Sequence, residues 1–282
     1  MGSLPKLLAS IHLDLSVPNG GAGPPRAGAV TFQVALRPMH MRFIPLAVVS
    51  FNACVYPLFA QLTTAQAVLE KYQQALGGAD AIQKVLSETR RGEIEATGLK
   101  GKATFVFYAK PFKTLQKLTL PDGHEITSGF DGSVSWSISP QGASIDKATP
   151  LESDRRDADL QYPLHQPDYF QKFEFAGVTD FEGRRCYWLH GTTHWGKDNN
   201  QFYDIRNGLL AGYRFQSDQQ SSTSITITRF EDYKSFGGPL VATKVISRTG
   251  DSTQTFTFLS VSYEPLADSL FELPQSVKAL LR

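Results

Sequence analysis

From residue 101 onward the chain repeats one unit: a short run of alternating large apolar and polar residues, followed by a turn. "GKATFVFYAKP", "TLQKLTLP" and "SVSWSIS" come first, with "PDGHE" and "FDGSV" in the same stretch. Asp-Gly beside alternating segments is a strong hairpin signal, because the glycine accepts the positive φ of a tight turn. "FQKFEFAGV", "RCYWLHGTT", "NQFYDIR", "LLAGYRFQS", "STSITITRFEDY", "LVATKVISR" and "STQTFTFLSVSYE" continue the series. Their linkers hold Asp180 to Gly183, Asn207-Gly208, Gly237-Gly238 and Gly250-Asp251. About ten to eleven strands at this spacing leave little room for crossover helices, so the connections are hairpins and the sheet is antiparallel. Consecutive hairpins build a meander, the geometry of an open or closed barrel. The expected class is mainly β.

Two segments depart from the pattern. "TTAQAVLEKYQQALGGADAIQKVLSE" has helical spacing, with Val68, Leu69, Tyr72, Ala75 and Leu76 on one stripe and Thr63 or Thr64 available as a cap. Gly77-Gly78 stops that helix, and a short second one carries Ile82, Val85 and Leu86. The stretch from Ile145 to Gln171 has no alternation, is rich in charge and holds three prolines. An insertion of this length in a meander is expected to lie across an open face or an opening, as short helices or loop.

"MRFIPLAVVSFNACVYPLFAQ" begins at Met41, and no charge occurs between Phe43 and Ala60. Arg37, His40 and Arg42 stand just before the run, and a small residue closes it, which together describe a secretory signal peptide. Pro45, Asn52 and Pro57 weaken the alternatives of an uncleaved anchor and a buried helix. Residues 41–60 are therefore the expected signal, with Gln61 as first mature residue and a periplasmic destination. A lipid anchor at Cys54 is the weaker form of export, because Phe51 and Asn52 fit a lipobox badly. Residues 1–40, with "SVPNGGAGPPRAGA", lack the apolar content to offset chain entropy and are expected to be a disordered extension or a mis-assigned start. Residues 61–282 then form the folded domain.

Charge excludes one class of partner. Removing residues 1–60, which hold Lys6, Arg26, Arg37, Arg42 and Asp14, from 28 basic and 27 acidic residues leaves 24 and 26, a net −2. No basic cluster interleaves with aromatics, so nucleic acid is not an expected partner. Cys186 is the one thiol of 61–282, which leaves no intramolecular disulfide. It sits in a strand pattern beside Arg184 and Arg185, and a buried small hydrophobe is the expected role.

No catalytic or metal motif is visible. Gly-x-Ser-x-Gly, His-Glu-x-x-His and a phosphate loop are all lacking. "GGAD" follows a helix rather than a strand, so it reads as a helix stop. His190 and His194 sit four apart in "WLHGTTH". In a strand that spacing separates them by about 13 Å, too far to share an ion. An enzyme, a metal and a cofactor are accordingly not expected.

The alternation itself is the unusual feature. Phe105 and Phe107 share a face, as do Trp136 and Ile138, Phe173 and Phe175, Tyr213 and Phe215, Ile225 and Ile227, and Phe256 and Phe258. Two readings follow: a filled core, or one concave surface lined by all twelve residues that accepts an apolar ligand.

A family resemblance bears on that choice. The ending "VSYEPLADSLFELP" resembles the closing strand and tail of the LolA/LolB-like outer-membrane lipoprotein carrier superfamily, through Pro265, Leu266, Asp268, Leu270, Phe271, Leu273 and Pro274. "FYDIRNGLLAGYRF" is similar to a hairpin of those proteins through Asp204, Gly208, Leu209 and Leu210. "YQQALGGADAIQKV" and "GFDGSVSW" resemble exported LolA-like proteins of environmental bacteria. The resemblance implies an incomplete antiparallel barrel closed by helices on its concave face, around an apolar cavity for acyl chains. The implied partner is a lipid, acyl chain or lipoprotein, bound by a monomer acting as carrier or chaperone across the envelope. An envelope sensor that binds a protein partner through the same fold is the alternative.

Overall fold

The structure is a computed structural model, and it describes residues 62–219 and 222–282. The expected signal peptide, its cleavage point, Cys54 and residues 1–40 lie outside the described residues.

Helix α1 (Ala65–Leu76) starts where the hydroxyl of Thr64 accepts the backbone N–H of Ala67 at 3.1 Å. It ends at Gly77, whose φ of 118° is open to glycine and strained for other residues. One turn of α2 (Ala79–Gln83) follows and buries Ile82, while Leu86 lies beyond it and points to solvent.

The strands then run as two meanders. The first comprises β1 (Glu88–Ala96), β2 (Ala103–Lys110), β3 (Lys113–Thr119), β4 (Glu125–Phe130), β5 (Ser135–Ser139) and β6 (Gly142–Asp146). The second comprises β7 (Phe170–Phe181), β8 (Arg184–Thr193), β9 (Asp198–Asp204), β10 (Leu210–Gln219), β11 (Ser222–Lys234), β12 (Val241–Thr249) and β13 (Ser252–Ser262). β13 pairs with β1, so the meanders fuse into one 13-stranded antiparallel sheet, in the order β6-β5-β4-β3-β2-β1-β13-β12-β11-β10-β9-β8-β7. The sheet is open, with β6 and β7 as its edges.

The strand total exceeds the expected ten to eleven because β1, β4 and β6 escape an apolar-alternation test. β1 reads "ETRRGEIEA", and β4 and β6 carry mainly Ser, Thr, Gly and charge. The insertion is correspondingly shorter than 145–171, since β6 claims Ile145 and Asp146 and β7 claims Phe170 and Gln171. Between them lie α3 (Leu151–Asp157), α4 (Tyr162–His165) and a 3₁₀ turn (Gln166–Tyr169).

Register divides the sheet into two faces. The face covered by α1, here the inner face, receives Val68, Leu69, Tyr72 and Leu76 from that helix. They pack with Ile94, Phe105, Phe107, Leu118, Leu189, Tyr203, Phe230, Val245, Phe256 and Phe258 in the main core. The insertion crosses this same face. Leu160 joins the core, the Ser135 hydroxyl donates to Asp154, and the Phe112 amide donates to the Ala158 carbonyl at 3.0 Å.

The outer face carries two smaller clusters. Leu115 and Trp136 are covered by the chain after β13, through Phe271 of a 3₁₀ turn (Asp268–Phe271) and Val277 of α5 (Gln275–Lys278). At the other end Phe181 stacks on Phe202 with ring centroids 4.2 Å apart, beside Cys186 and Ala211.

Candidate ligand-binding face

The twelve aromatic and aliphatic residues expected to line one surface divide between both faces. Phe105, Phe107, Phe256 and Phe258 are inner and together, with Phe173, Phe175 and Tyr213 packed against the same core. Phe215, half-buried, lies two residues further along β10 on the same side as Tyr213.

Trp136, Ile138, Ile225 and Ile227 belong to the other face, a correction to the single-surface reading. Across the first meander Phe107 stands opposite Gln116, Gln116 opposite Ser128, and Ser128 opposite Ser137. Ser137 therefore shares the phenylalanine face, and its neighbours Trp136 and Ile138 must point the other way, onto Leu115 and the C-terminal segment. Gln254, Ser247, Thr228 and Tyr213 make the equivalent row in the second meander. Thr228 is thus inner, Ile227 packs against the Phe181–Phe202 cluster, and Ile225 is 58% exposed. A two-residue period tells which residues of one strand share a face, but which face depends on the register of every strand between.

The inner aromatics fill their space. Phe105 meets Phe256 and Phe258 edge-on, at centroid separations of 6.3 Å and 5.6 Å. Its ring lies over Gly92, where a Cβ would come within 2.7 Å of the ring and collide with the carbonyl of Thr257. At the end of the sheet near β7, Phe170 and Phe173 stack at 4.6 Å over Gly191. Phe105 and Phe258 are only 2% and 3% exposed, so the phenylalanine row is shut off from solvent in the core that α1 shares.

The seal is side-chain packing plus few hydrogen bonds. Lys71 donates to the Ile205 carbonyl at 2.6 Å, Gln73 to the Pro163 carbonyl at 2.9 Å, and the Leu240 amide to the Leu76 carbonyl at 2.9 Å. A twelve-residue helix is marginal by itself. It holds its place through its apolar stripe.

Polar groups are buried on this face as well. Gln166 of the insertion donates to Gln201 on β9 at 2.5 Å, and Tyr203 donates to the same oxygen at 2.5 Å. Burial raises Tyr203 well above its ordinary range, so the hydroxyl keeps its proton. Asp159 accepts from Tyr169 at 2.8 Å and lies 2.9 Å from Nδ1 of His165. Nearer the first meander, Arg90 Nη2 donates to Glu88 Oε2 at 2.9 Å with both side chains almost fully buried. Burial pushes the Glu88 carboxyl up, but the Arg90 guanidinium outweighs it and holds the group below the ordinary carboxylate range. Tyr263 nearby is raised to about 12, by burial and then by the Glu88 carboxylate.

These buried polar residues were missed in the sequence. The signal was there in β1, where Glu88, Arg90, Gly92 and Ile94 alternate with Thr89, Arg91, Glu93 and Glu95. Charge at inner positions hid it. The remaining candidates take ordinary places. Burial, then the Asp204 carboxylate, raises the Cys186 thiol to about 12, which makes it a poor nucleophile. His190 Nδ1 lies 3.2 Å from Asn200 Oδ1. Among the described residues no three His, Cys, Asp or Glu side chains gather as metal ligands.

No protein-family model matches this chain, and no curated protein matches it in sequence. Solved structures do. A LolA superfamily protein from Nitrosomonas europaea superposes with a TM-score of 0.52 at 14% identity, covering 76% of this chain and 99% of its own. The fold is that of the LolA-like carriers. A DUF1329 family protein from Desulfovibrio piger is similar at TM-score 0.51 and 15% identity, over 73% of this chain and 96% of its own. A domain from Vibrio parahaemolyticus named for outer membrane lipoprotein sorting follows at 0.50 and 10%, over 76% and 99%. The LolA-like half-barrel agrees with the open 13-stranded sheet and its helical cover.

Proposed function

We propose that this chain is an exported periplasmic binding protein, rather than an enzyme, that holds a lipid, acyl chain or lipoprotein against the inner face. The observation that carries the reading is the continuous apolar core of Phe105, Phe107, Phe256 and Phe258, closed by one short helix that adds no strand to the sheet. An acyl chain replaces the apolar stripe of α1 on those rings, and the helix moves aside as the chain enters. Burial of apolar surface is conserved in that exchange, so its net free energy is small. Reversible loading needs that balance.

The test is native mass spectrometry of protein purified from a periplasmic extract. Co-purified lipid supports carriage, and protein that stays empty after incubation with lipid removes it. Sequencing the same sample should find the mature N-terminus at or close to Gln61; retention of residues 1–40 counts against export from Met41.

One observation favours a protein partner instead. β7 is twelve residues long and, among the described residues, pairs with β8 alone, so one row of its backbone groups has no strand partner there. An extended segment of another protein could add to that edge. A stoichiometric protein in the same spectrum would support the sensor reading.

A further inference from the structure

The inner-face core holds a buried donor on a charged side chain, Arg90 Nε, with no acceptor among the described residues. Arg90 stands in the inner row of β1, opposite Phe107 on β2 and Val261 on β13. Its Nη2 donates to Glu88, and its guanidinium lies 5.2 Å from the centre of the Phe258 ring. Its Nε is buried and has no hydrogen-bond partner among the described residues. An unmet donor on a buried cation is costly, and native structures rarely keep one without a use. A second observation points outward from the same place. Glu88, the partner of Arg90, lines a narrow and mostly apolar recess with Ile82, Val85, Leu160, Pro239 and Tyr263.

We infer that Arg90 reads the head of the bound amphiphile by donating its Nε–H to a neutral carbonyl oxygen, as in an ester or amide, and not to a carboxylate. The inference rests on the inner-face reading above and sharpens it to one residue. Glu88 already neutralises the guanidinium and is itself ionised at neutral pH. A ligand carboxylate on the far side of Arg90 would add a second negative charge within a few ångströms in a dry site, which is unfavourable. A carbonyl oxygen meets the buried Nε donor and brings no charge. Its acyl chain then continues onto Phe258, whose ring lies against the guanidinium, and toward Phe107, which stands opposite Arg90 on β2.

The experiment titrates the full chain, purified from the periplasm, with three soluble short-chain probes. They are a diacyl phosphatidylcholine, its dialkyl ether counterpart without carbonyls, and the matching free fatty acid. The ester is expected to bind about tenfold tighter than the ether, the gain ordinary for a hydrogen bond to a charged donor. The free acid should bind no better than the ether. Arg90→Lys keeps a cation for Glu88 but removes the Nε donor, so it should reduce the ester-over-ether preference to about one. A carbon-13 label on the ester carbonyl supplies a readout that needs no variant. Its infrared stretch should fall on binding to the unmutated protein, even if Arg90→Lys does not fold. Equal binding of ester and ether, an unshifted carbonyl, preference for the free acid, or an ester preference that survives Arg90→Lys each overturns the assignment while leaving the carrier reading standing. Failure of the unmutated protein to bind any of the three removes that reading and this assignment together.

Discussion

The two faces of the sheet each bury aromatic residues beneath a separate piece of chain, yet they are built differently. On the outer face Trp136 and Leu115 meet Phe271 and Val277, with Ile138, Ile145 and Leu270 packed against them. On the inner face Phe105, Phe107, Phe256 and Phe258 meet α1, with the Glu88–Arg90 pair among them and the Gln166–Gln201–Tyr203 hydrogen bonds beneath the insertion. An apolar cluster can be sealed permanently at no polar cost. Buried charge has to be justified by something else, because desolvating a charged pair commonly outweighs its attraction. Aromatic bulk alone therefore does not tell the two faces apart, and neither does buried charge alone, since Asp204 beside Cys186 on the outer face is also buried.

The largest effects should come from truncating one aromatic on each face. Phe258→Ala and Trp136→Ala each remove a buried ring and should each cost roughly 3–5 kcal/mol in urea unfolding. They should part in function, with uptake of a fluorescent lipid lost in Phe258→Ala and retained by the folded fraction of Trp136→Ala. Equal loss in both erases the distinction between faces.

Glu88→Gln comes next. It strands the buried Arg90 charge, so unfolding should be easier by about 3–5 kcal/mol near neutral pH. The exposed Lys102–Glu93 pair, at 2.9 Å, should cost under about 1 kcal/mol when broken. The sign with pH follows from the direction at Glu88. Its folded value is depressed by Arg90, so its stabilisation is full above the unfolded value of about 4.3 and disappears as pH falls through the folded one. Denaturation midpoints from pH 7 down to pH 3 should fall less steeply in Glu88→Gln than in the unmutated chain. A parallel decline would mean that Glu88 is not the group responsible.

Smaller changes probe the cover and the open part of the outer face. Thr64→Ala removes the cap that holds the first turn of α1, and should lower stability by about 1 kcal/mol. If α1 is the moving cover, the same change should speed lipid uptake, and an unchanged rate argues for a fixed helix. Ile225→Ser alters an exposed outer side chain and should stay within about 0.5 kcal/mol of neutral. A larger loss, or reduced lipid binding, would show Ile225 in contact with something other than solvent.

Most of the architecture was legible wherever alternation was carried by large apolar residues. β2, β7, β11 and β13 could be read from Phe, Ile and Val at every second place, and the caps of α1 from Thr64 and Gly77. β1 was not, because Glu88 and Arg90 stand at inner positions where a hydrophobic pattern expects apolar residues. Of the residues expected at the candidate site, Phe105, Phe107, Phe256 and Phe258 were legible as one row, while Trp136 carried the same alternation signal on the opposite face.

By itself the sequence determined the local geometry of this protein: hairpins, a capped helix, and which side chains within each strand stand together. Those are properties of dihedral preference and period, and they act over a few residues. Which of two apolar rows would face α1 was decided only by the tertiary structure, through a register handed from strand to strand across the sheet. The pairing of β13 with β1 was decided there too, since it brings together residues more than 150 positions apart. So was the placing of Arg90 beside Phe258, because no local rule anticipates a guanidinium held against a ring from the far end of the chain.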